Sequence, residues 1–183
     1  MSSGTERRDR FESLAAEVYE PLQRYLRRRV ATDDVADLLN ETLTVIWRRL
    51  DDVPTEAPLA WCYAVARRVV SNHRRSAQRR IRLIGRLEAE PAPHVILDPA
   101  EALSDPELAA ALVELSPADQ EILRLWAWEQ LEPREIAQAL GSTPNAVSLR
   151  LGRARKKLAD ALSRQDPPAA GHKPDRHTEE HQR

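Results

Sequence analysis

The sequence is poor in cysteine, glycine and aromatic residues, and each shortage excludes a class of protein. Cys62 is the only cysteine among 183 residues, which excludes an internal disulfide and a cysteine-based zinc site. Five glycines and an aromatic content of 4% argue against a strand-rich sandwich or barrel. No apolar run reaches the roughly 20 residues that span a bilayer, and the N-terminus lacks the apolar segment of a signal peptide. The sequence therefore predicts a soluble, cytoplasmic, mainly helical protein.

Charged residues are unevenly distributed, although the formal net charge is only −1. The stretch 57–87 holds eight arginines and no acidic residue, whereas 88–121 holds nine acidic residues and neither lysine nor arginine. Five further cations fall between Arg150 and Lys157. Two basic blocks separated by an acidic one indicate two polyanion-binding modules with a connector between them.

Apolar residues at helical spacing predict three helices in the first half of the chain, over 11–30, 34–50 and about 59–77. Pro21 is expected to bend or divide the first helix. The second helix is expected to be capped by one of three residues, Thr32, Asp33 or Asp34. The apolar stripe of the third helix includes Cys62, which we interpret as a small apolar core residue. The outward residues of the second and third helices are Asp37, Asn40, Glu41, Thr44 and Arg48, then Arg67, Arg68, Ser71 and Arg75.

The second half contains an acidic, proline-containing linker and a second helical module. The linker is assigned to 81–104 and the module to 105–163. Within the module, Asp105 or Ser104 is expected to cap a first helix. Ser116 is expected to cap a second helix that begins at Pro117.

The tail, 164–183, is polar and without periodicity, which predicts disorder. His177 and His181 stand four apart, but the order His-Thr-Glu-Glu-His is not the His-Glu-x-x-His of a metalloprotease. No glycine-rich phosphate loop and no nucleophile paired with a base is recognisable. We therefore expect no metal, no cofactor and no enzymatic activity.

The segment PREIAQALGSTPNAVSLRL, 133–151, has the pattern of a helix-turn-helix. Ala137 is small enough for two helices to cross closely, and Gly141 supplies the positive φ of a sharp turn. The second helix of such a motif enters the major groove of DNA. Its core stripe is Val147, Leu151, Ala154 and Leu158. The expected base contacts are Asn145, Ser148 and Leu149, and the expected phosphate contacts are Arg150 and Arg153.

With these segments in place, the sequence resembles bacterial RNA polymerase sigma factors of the extracytoplasmic-function group. Residues 19–80 are similar to region 2 of the family and residues 115–158 to region 4. The segments DLLNET, VIWRRL, AWCYAVAR and NAVSLRLGRARKKL are specific in combination. The resemblance implies an all-α fold of two small helical domains, 10–80 and 105–163, joined by a flexible linker.

The resemblance also implies a function and partners. Region 2 docks on the clamp of core RNA polymerase and opens the −10 promoter element, while region 4 reads the −35 element and meets the polymerase flap. By position, the clamp contacts are Asp37, Asn40, Glu41 and Thr44, and the −10 contacts are Arg67, Arg68, Arg74 and Arg75. Loop 51–58 matches the loop that receives an unstacked base, and Trp61 and Tyr63 are expected to be scaffold residues. Expected partners are core polymerase and promoter DNA, and an anti-sigma factor is a further candidate partner.

Some positions differ from the family's usual residues. Asn40 replaces the Gln of DLLQET, Gln130 replaces a frequent Gly, and Glu132 replaces a frequent Ser or Thr cap. Ser148 and Gly152 stand where many relatives carry Arg or His. We therefore expect a promoter preference particular to this protein.

Two other functions compete with this interpretation. A free-standing helix-turn-helix regulator would explain 105–163 but not DLLNET or the arginine-rich third helix. An RNA-binding helical protein would explain the basic helices, but it would not need a helix-turn-helix register. Stoichiometric binding of core polymerase distinguishes the first interpretation from both.

Overall fold

The computed structural model describes residues 4–84 and 105–165, and these residues form seven α-helices and no strand. An N-terminal module comprises α1 (Gly4–Arg27), α2 (Thr32–Arg48), a short 3-10 turn (Leu50–Asp52) and α3 (Pro58–Ile84). A C-terminal module comprises α4 (Pro106–Val113), α5 (Pro117–Ala127), α6 (Pro133–Leu140) and α7 (Pro144–Gln165). The expected all-α fold is confirmed. Within the described residues, no helix has the length and apolar character needed to cross a membrane.

The N-terminal module is a three-helix bundle, because each helix carries one apolar stripe and must bury it. Helix α1 contacts both α2 and α3, and α2 also packs on α3. Helix α1 begins at Gly4, earlier than predicted, and continues through Pro21 without a break. Burial of the α1 stripe offsets the hydrogen bond that Pro21 cannot donate. The fully buried side chains of this module include Val18, Leu22, Leu26, Ile46 and Leu50.

The expected cap of α2 is wrong. The N-cap residue is Ala31, and it makes no side-chain capping hydrogen bond. Asp33 and Asp34 lie in the first turn instead, where their carboxylates interact favourably with the positive end of the helix dipole.

The caps of the C-terminal module agree with the sequence analysis. The Asp105 carboxylate accepts hydrogen bonds from the backbone N–H groups of Glu107 and Leu108 at 2.9 and 3.2 Å. The Ser116 hydroxyl accepts one from the N–H of Asp119 at 3.2 Å. Proline occupies the first position of both α4 and α5, where its missing N–H costs nothing.

Two predicted boundaries shift. Helix α3 extends to Ile84, so the first four residues assigned to the linker are helical. Helix α7 extends to Gln165, so the assigned tail begins within a helix. The remaining linker, 85–104, and the remaining tail, 166–183, which holds His177 and His181, lie outside the described residues.

The two modules pack against each other, which the sequence analysis did not foresee. Helix α6 of the C-terminal module lies along α3 of the N-terminal module. Buried apolar residues of both modules, from Leu14 to Ala154, belong to one continuous cluster. This contact places the helix-turn-helix beside the arginine-rich helix.

Candidate nucleic-acid interface

The turn between α6 and α7 has the geometry expected of a helix-turn-helix. Gly141 ends α6 with φ 66°, in the left-handed region, and Ser142 donates its N–H to the Ala137 carbonyl at 2.9 Å. Glu132 caps α6 in place of the usual Ser or Thr, and its N–H donates to the Glu135 carboxylate at 2.8 Å. A carboxylate at the third helical position thus performs the second half of a capping box.

Helix α7 buries one edge and exposes the opposite one. Val147, Leu151 and Ala154 are buried, and Leu158 is half-buried, as the core stripe predicts. On the opposite edge Asn145, Ser148 and Leu149 are exposed. The Leu149 side chain is 56% exposed and so presents an apolar surface to solvent on this edge. The three residues expected at base edges are therefore solvent-accessible, and the Ser148 hydroxyl donates to the Pro144 carbonyl within the helix at 2.9 Å.

Arg150 has a structural contact as well as an exposed surface. Its Nε lies 2.7 Å from the Asp119 carboxylate on α5, and the Lys157 Nζ lies 2.8 Å from the other oxygen of that carboxylate. The hydrogen bond from Lys157, aided by those from Arg150 and Ser116, outweighs burial and lowers the pKa of Asp119 to about 2. Asp119 therefore anchors α7 to α5.

Arg153, by contrast, is exposed, and its side chain makes no ion pair or hydrogen bond within residues 4–84 and 105–165. The sequence analysis assigned Arg150 and Arg153 the same role, that of phosphate contacts. The structure separates them, since only Arg150 reaches the buried carboxylate. Arg155 lies on another edge, with its guanidinium 4.7 Å from the centre of the Trp126 ring.

The arginines of α3 form an exposed basic face beside the contact between the modules. Arg67, Arg68, Arg74 and Arg75 are all exposed, as expected. Arg74 also donates to the backbone carbonyl of Arg29 at 2.8 Å, and Arg75 donates to the Asn72 side chain at 2.7 Å. Although the residue is exposed as a whole, partial desolvation of its guanidinium lowers the pKa of Arg74, which remains a cation.

The loop before α3 is tethered at its start. Arg7 of α1 donates to the Asp51 carboxylate at 2.6 Å and to the Trp47 carbonyl at 2.8 Å. Val53 is buried, whereas Thr55 and Glu56 are exposed. The start of loop 51–58 is therefore fixed to α1, whereas its tip at Thr55 and Glu56 is exposed to solvent.

The outer face of α2 is polar and solvent-accessible. Asp37, Asn40, Glu41 and Thr44 are exposed, as expected. The Thr44 hydroxyl donates to the Asn40 carbonyl at 2.8 Å, a bond within the helix. Neither Asp37 nor Glu41 forms an ion pair with another described residue. The carboxylates are therefore available to a partner.

The residues that the sequence analysis interpreted as core or scaffold are buried or half-buried in the structure. Cys62 is fully buried, and burial raises the pKa of its thiol to about 12. Tyr63 is buried with its ring 5.1 Å from that of Tyr25. Trp61 is half-buried beneath Arg49, whose guanidinium lies 5.6 Å from the ring centre.

An ion-pair network between the modules escaped the sequence analysis. Arg29, 3% exposed, lies 3.0 Å from the Glu129 carboxylate and 3.3 Å from that of Glu121. Arg28 also pairs with Glu129, at 3.2 Å, and the Tyr25 hydroxyl donates to Glu121 at 3.3 Å. The paired residues are roughly 100 residues apart in sequence, so no local sequence pattern predicts these ion pairs. We call Tyr25, Arg28, Arg29, Glu121 and Glu129 the intermodule network.

Within the described part of the chain, no group of three or more His, Cys, Asp or Glu side chains is arranged to hold a metal ion. The exposed features are instead two cationic helix faces and one polar helix face. These suit contacts with polyanions and with another protein.

Comparison with known proteins agrees with this geometry. Residues 11–80 match the family described as Sigma-70 region 2, and residues 106–158 match Sigma-70, region 4. The chain is 30% identical over 144 residues to the RNA polymerase sigma factor CnrH of Cupriavidus metallidurans, covering 70% of this chain and 73% of that protein. It is 27% identical over 164 residues to the ECF RNA polymerase sigma factor BldN of Streptomyces coelicolor, covering 84% of this chain and 61% of BldN.

A solved structure has the same fold. In the complex of the sigma factor RpoE with the anti-sigma factor NepR from Bartonella quintana, the matched chain superposes with a TM-score of 0.62 at 21% identity. The match covers 84% of this chain and 96% of that one. The chain therefore belongs to the extracytoplasmic-function group of RNA polymerase sigma factors, the subunits that direct core polymerase to promoters and initiate transcription.

Proposed function

We propose that the two modules divide promoter recognition between them. Residues 10–80 act on the polymerase clamp and the −10 element, residues 105–163 act on the −35 element, and residues 81–104 connect them. The observation that carries this proposal is the register of the helix-turn-helix. The turn at Gly141 and the buried stripe of α7 leave one helix edge free for the major groove.

Within α7, we assign different tasks to neighbouring exposed residues. Asn145 can make a bidentate contact with adenine, and Leu149 can pack on a thymine methyl group. Ser148 lies between them at the base edges. Arg153 holds a phosphate, because its guanidinium has no described partner. Arg150 combines two tasks: it anchors α7 through Asp119, and its half-exposed guanidinium reaches a phosphate.

The −10 element is assigned to α3 and the loop that precedes it. Arg67, Arg68 and Arg75 are exposed cations that can hold the backbone of the melted strand. Arg74 supports this face while it also contacts Arg29. The free tip of loop 51–58 receives an unstacked base.

The outer face of α2 is assigned to the polymerase clamp. Asp37, Asn40, Glu41 and Thr44 offer carboxylate, amide and hydroxyl groups that the fold does not need for packing. A contact of this kind contributes to binding without contributing to the stability of the free protein.

Three further points follow from membership of the family. We place the protein in the cytoplasm with its polymerase, assign it no catalytic residue, and expect transcription only in complex with core enzyme. We also propose an anti-sigma factor as a partner.

The assignment of base contacts is tested by selecting functional −35 sequences from a randomised pool with reconstituted holoenzyme. Asn145→Ala and a polar residue at Leu149 should change the selected sequences, at about 1–3 kcal/mol for a lost base contact. Arg153→Ala should weaken binding to all sequences alike and lower the salt slope by about one. An unchanged preference for the first two variants, or a shifted one for Arg153→Ala, would refute the division of tasks.

The clamp assignment is tested by the triple variant Asp37→Ala, Asn40→Ala and Glu41→Ala. Because these residues are exposed, the free energy of unfolding should change by only about 0.5 kcal/mol. Affinity for core polymerase should fall, whereas Glu12→Ala, which removes an exposed carboxylate from α1, should leave it unchanged. If the triple variant binds core polymerase like the unmodified protein, α2 is not the clamp contact.

A further inference from the structure

The intermodule network joins the two DNA-binding modules through buried charges. Side chains of Arg29 and Glu129 are 3% and 2% exposed, and those of Arg28 and Glu121 are 16% and 18% exposed. Charges this deeply buried are stable only when each has a partner. Here every charge has one, and all the ion pairs cross between the modules.

Arg29 is the centre of the network, because its guanidinium uses all three nitrogens. Nε and Nη2 each lie 3.3 Å from Glu121 oxygens, and Nη1 donates to the Glu129 carboxylate and the Tyr25 carbonyl, both at 3.0 Å. The guanidinium carbon also lies 3.6 Å from the centre of the Tyr25 ring. The planar guanidinium of Arg29 makes all of these hydrogen bonds only when the two modules adopt one particular relative position.

Electrostatics agree with this geometry. Burial acts to raise the pKa of Glu121, but Arg29 together with Arg124 and Arg67 outweighs burial and holds that pKa below its ordinary value. Burial raises the pKa of Glu129, because two arginines offset it only in part. The network is therefore sensitive to the loss of any one charge.

The packed arrangement cannot read both promoter elements at once. The positions −10 and −35 are about 25 base pairs apart, which at 3.4 Å per base pair is about 85 Å. Helix α6 touches α3, and the recognition end of α7 begins three residues beyond α6. With α6 about 12 Å long, that end stays within roughly 30 Å of α3. The modules must therefore separate before both elements are bound.

We infer that Tyr25, Arg28, Arg29, Glu121 and Glu129 form a latch that holds the free chain closed and keeps it from promoters until the modules separate. The inhibitory part of this inference rests on the proposed assignment of α3 to the −10 element and α7 to the −35 element. When the modules separate, the four charged side chains of the latch return to water. A charge without a partner is then solvated, and the free-energy cost of its burial disappears. Neutralising one partner consequently destabilises the closed state and leaves the open state unchanged.

The closed state is tested by small-angle X-ray scattering of the full chain without polymerase. Glu129→Gln leaves Arg28 and Arg29 without one shared carboxylate, and we expect it to shift the closed-to-open ratio roughly 100-fold or more and to enlarge the radius of gyration. Glu114→Gln is the matched control, since Glu114 pairs with Arg164 within the C-terminal module and both are exposed. An unchanged helical circular dichroism signal separates opening from unfolding. A Glu129→Gln chain as compact as the unmodified protein would overturn the latch.

The inhibitory role is tested by closing the chain covalently. In a Cys62→Ala background, Arg28→Cys and Glu129→Cys are joined by a bismaleimide that contains a cleavable disulfide. Before joining, the chain should transcribe with core polymerase, since two of the three ion pairs between the modules are removed and only Arg29–Glu121 remains. After joining, transcription should fall at least tenfold and recover when the disulfide is reduced.

A joined chain that transcribes normally would overturn the inhibitory role. The selection of −35 sequences uses unjoined chains, so a failure of the module assignments is recognised separately. Scattering requires no DNA, and it therefore reports on the latch alone.

Discussion

Replacing Asp119 by asparagine should loosen α7 from α5, and the structure sets the size of the effect. A fall in the pKa of Asp119 from 3.8 to about 2 corresponds to about 2.5 kcal/mol of stability at neutral pH. Its partners Arg150 and Lys157 have side chains 47% and 60% exposed, so solvent screening lowers this to about 1–2 kcal/mol. Asparagine keeps the shape of the side chain and can still accept one hydrogen bond. The difference in the free energy of unfolding between the unmodified protein and Asp119→Asn therefore reports mainly on the charge of the carboxylate.

The pH dependence identifies the cause. A carboxyl whose pKa is lower in the folded state stabilises the protein above its unfolded pKa, and this contribution is lost as the pH falls from about 4 to about 2. Urea unfolding of the full chain at several pH values should show a gap near pH 7 between the free energies of unfolding of the unmodified protein and of Asp119→Asn. That gap should narrow as the pH falls below about 4 and close only near pH 2. Asp160→Asn, an exposed change on α7, should show almost no gap at any pH.

A gap that stays constant with pH would refute the reasoning, because it would mean that packing and not charge anchors the helix. A gap no larger than that of Asp160→Asn would refute it as well.

Three further predictions concern single positions. Gly141→Ala should lower the free energy of unfolding by about 1 kcal/mol in urea titrations, because its φ of 66° is unfavourable for a residue with a Cβ, although no neighbouring atom obstructs that Cβ. Gln130→Gly should raise it by up to about 1 kcal/mol, since Gln130 adopts a φ of 56°; no gain would show that its hydrogen bond to Ala127 offsets the strain. Cys62 should react with maleimide only after denaturation, because its thiol is buried with a raised pKa; rapid labelling of the native protein would contradict this.

The predicted helix-turn-helix is correct because its determinants are local. Gly141 is favoured wherever a helix ends in a left-handed residue, and the core stripe of α7 follows from a period of 3.6 residues. The caps at Asp105 and Ser116 are also local, because a side chain bonds to backbone two or three residues later. The exposed faces of α2 and α3 followed from the same periodicity.

The cap expected for α2 was wrong, and the division of α1 expected as one outcome at Pro21 does not occur, because tertiary packing outweighed local propensity. Thr32, Asp33 and Asp34 are all good caps, yet α2 starts from Ala31 without a side-chain bond. Pro21 breaks isolated helices, but the buried stripe of α1 keeps the helix continuous.

The sequence by itself determined the helices, their buried faces, the turn at Gly141 and the family to which the chain belongs. Only the tertiary structure decided that Arg150 anchors a helix while Arg153 stays free, because Asp119 lies 31 residues earlier. It also decided that Arg28 and Arg29, two members of a run of arginines, are withdrawn from solvent by Glu121 and Glu129. A charged residue has the same chemistry in sequence whether it is solvated or buried. Its environment depends on partners roughly 100 residues away, and the folded chain alone brings them within 3.3 Å.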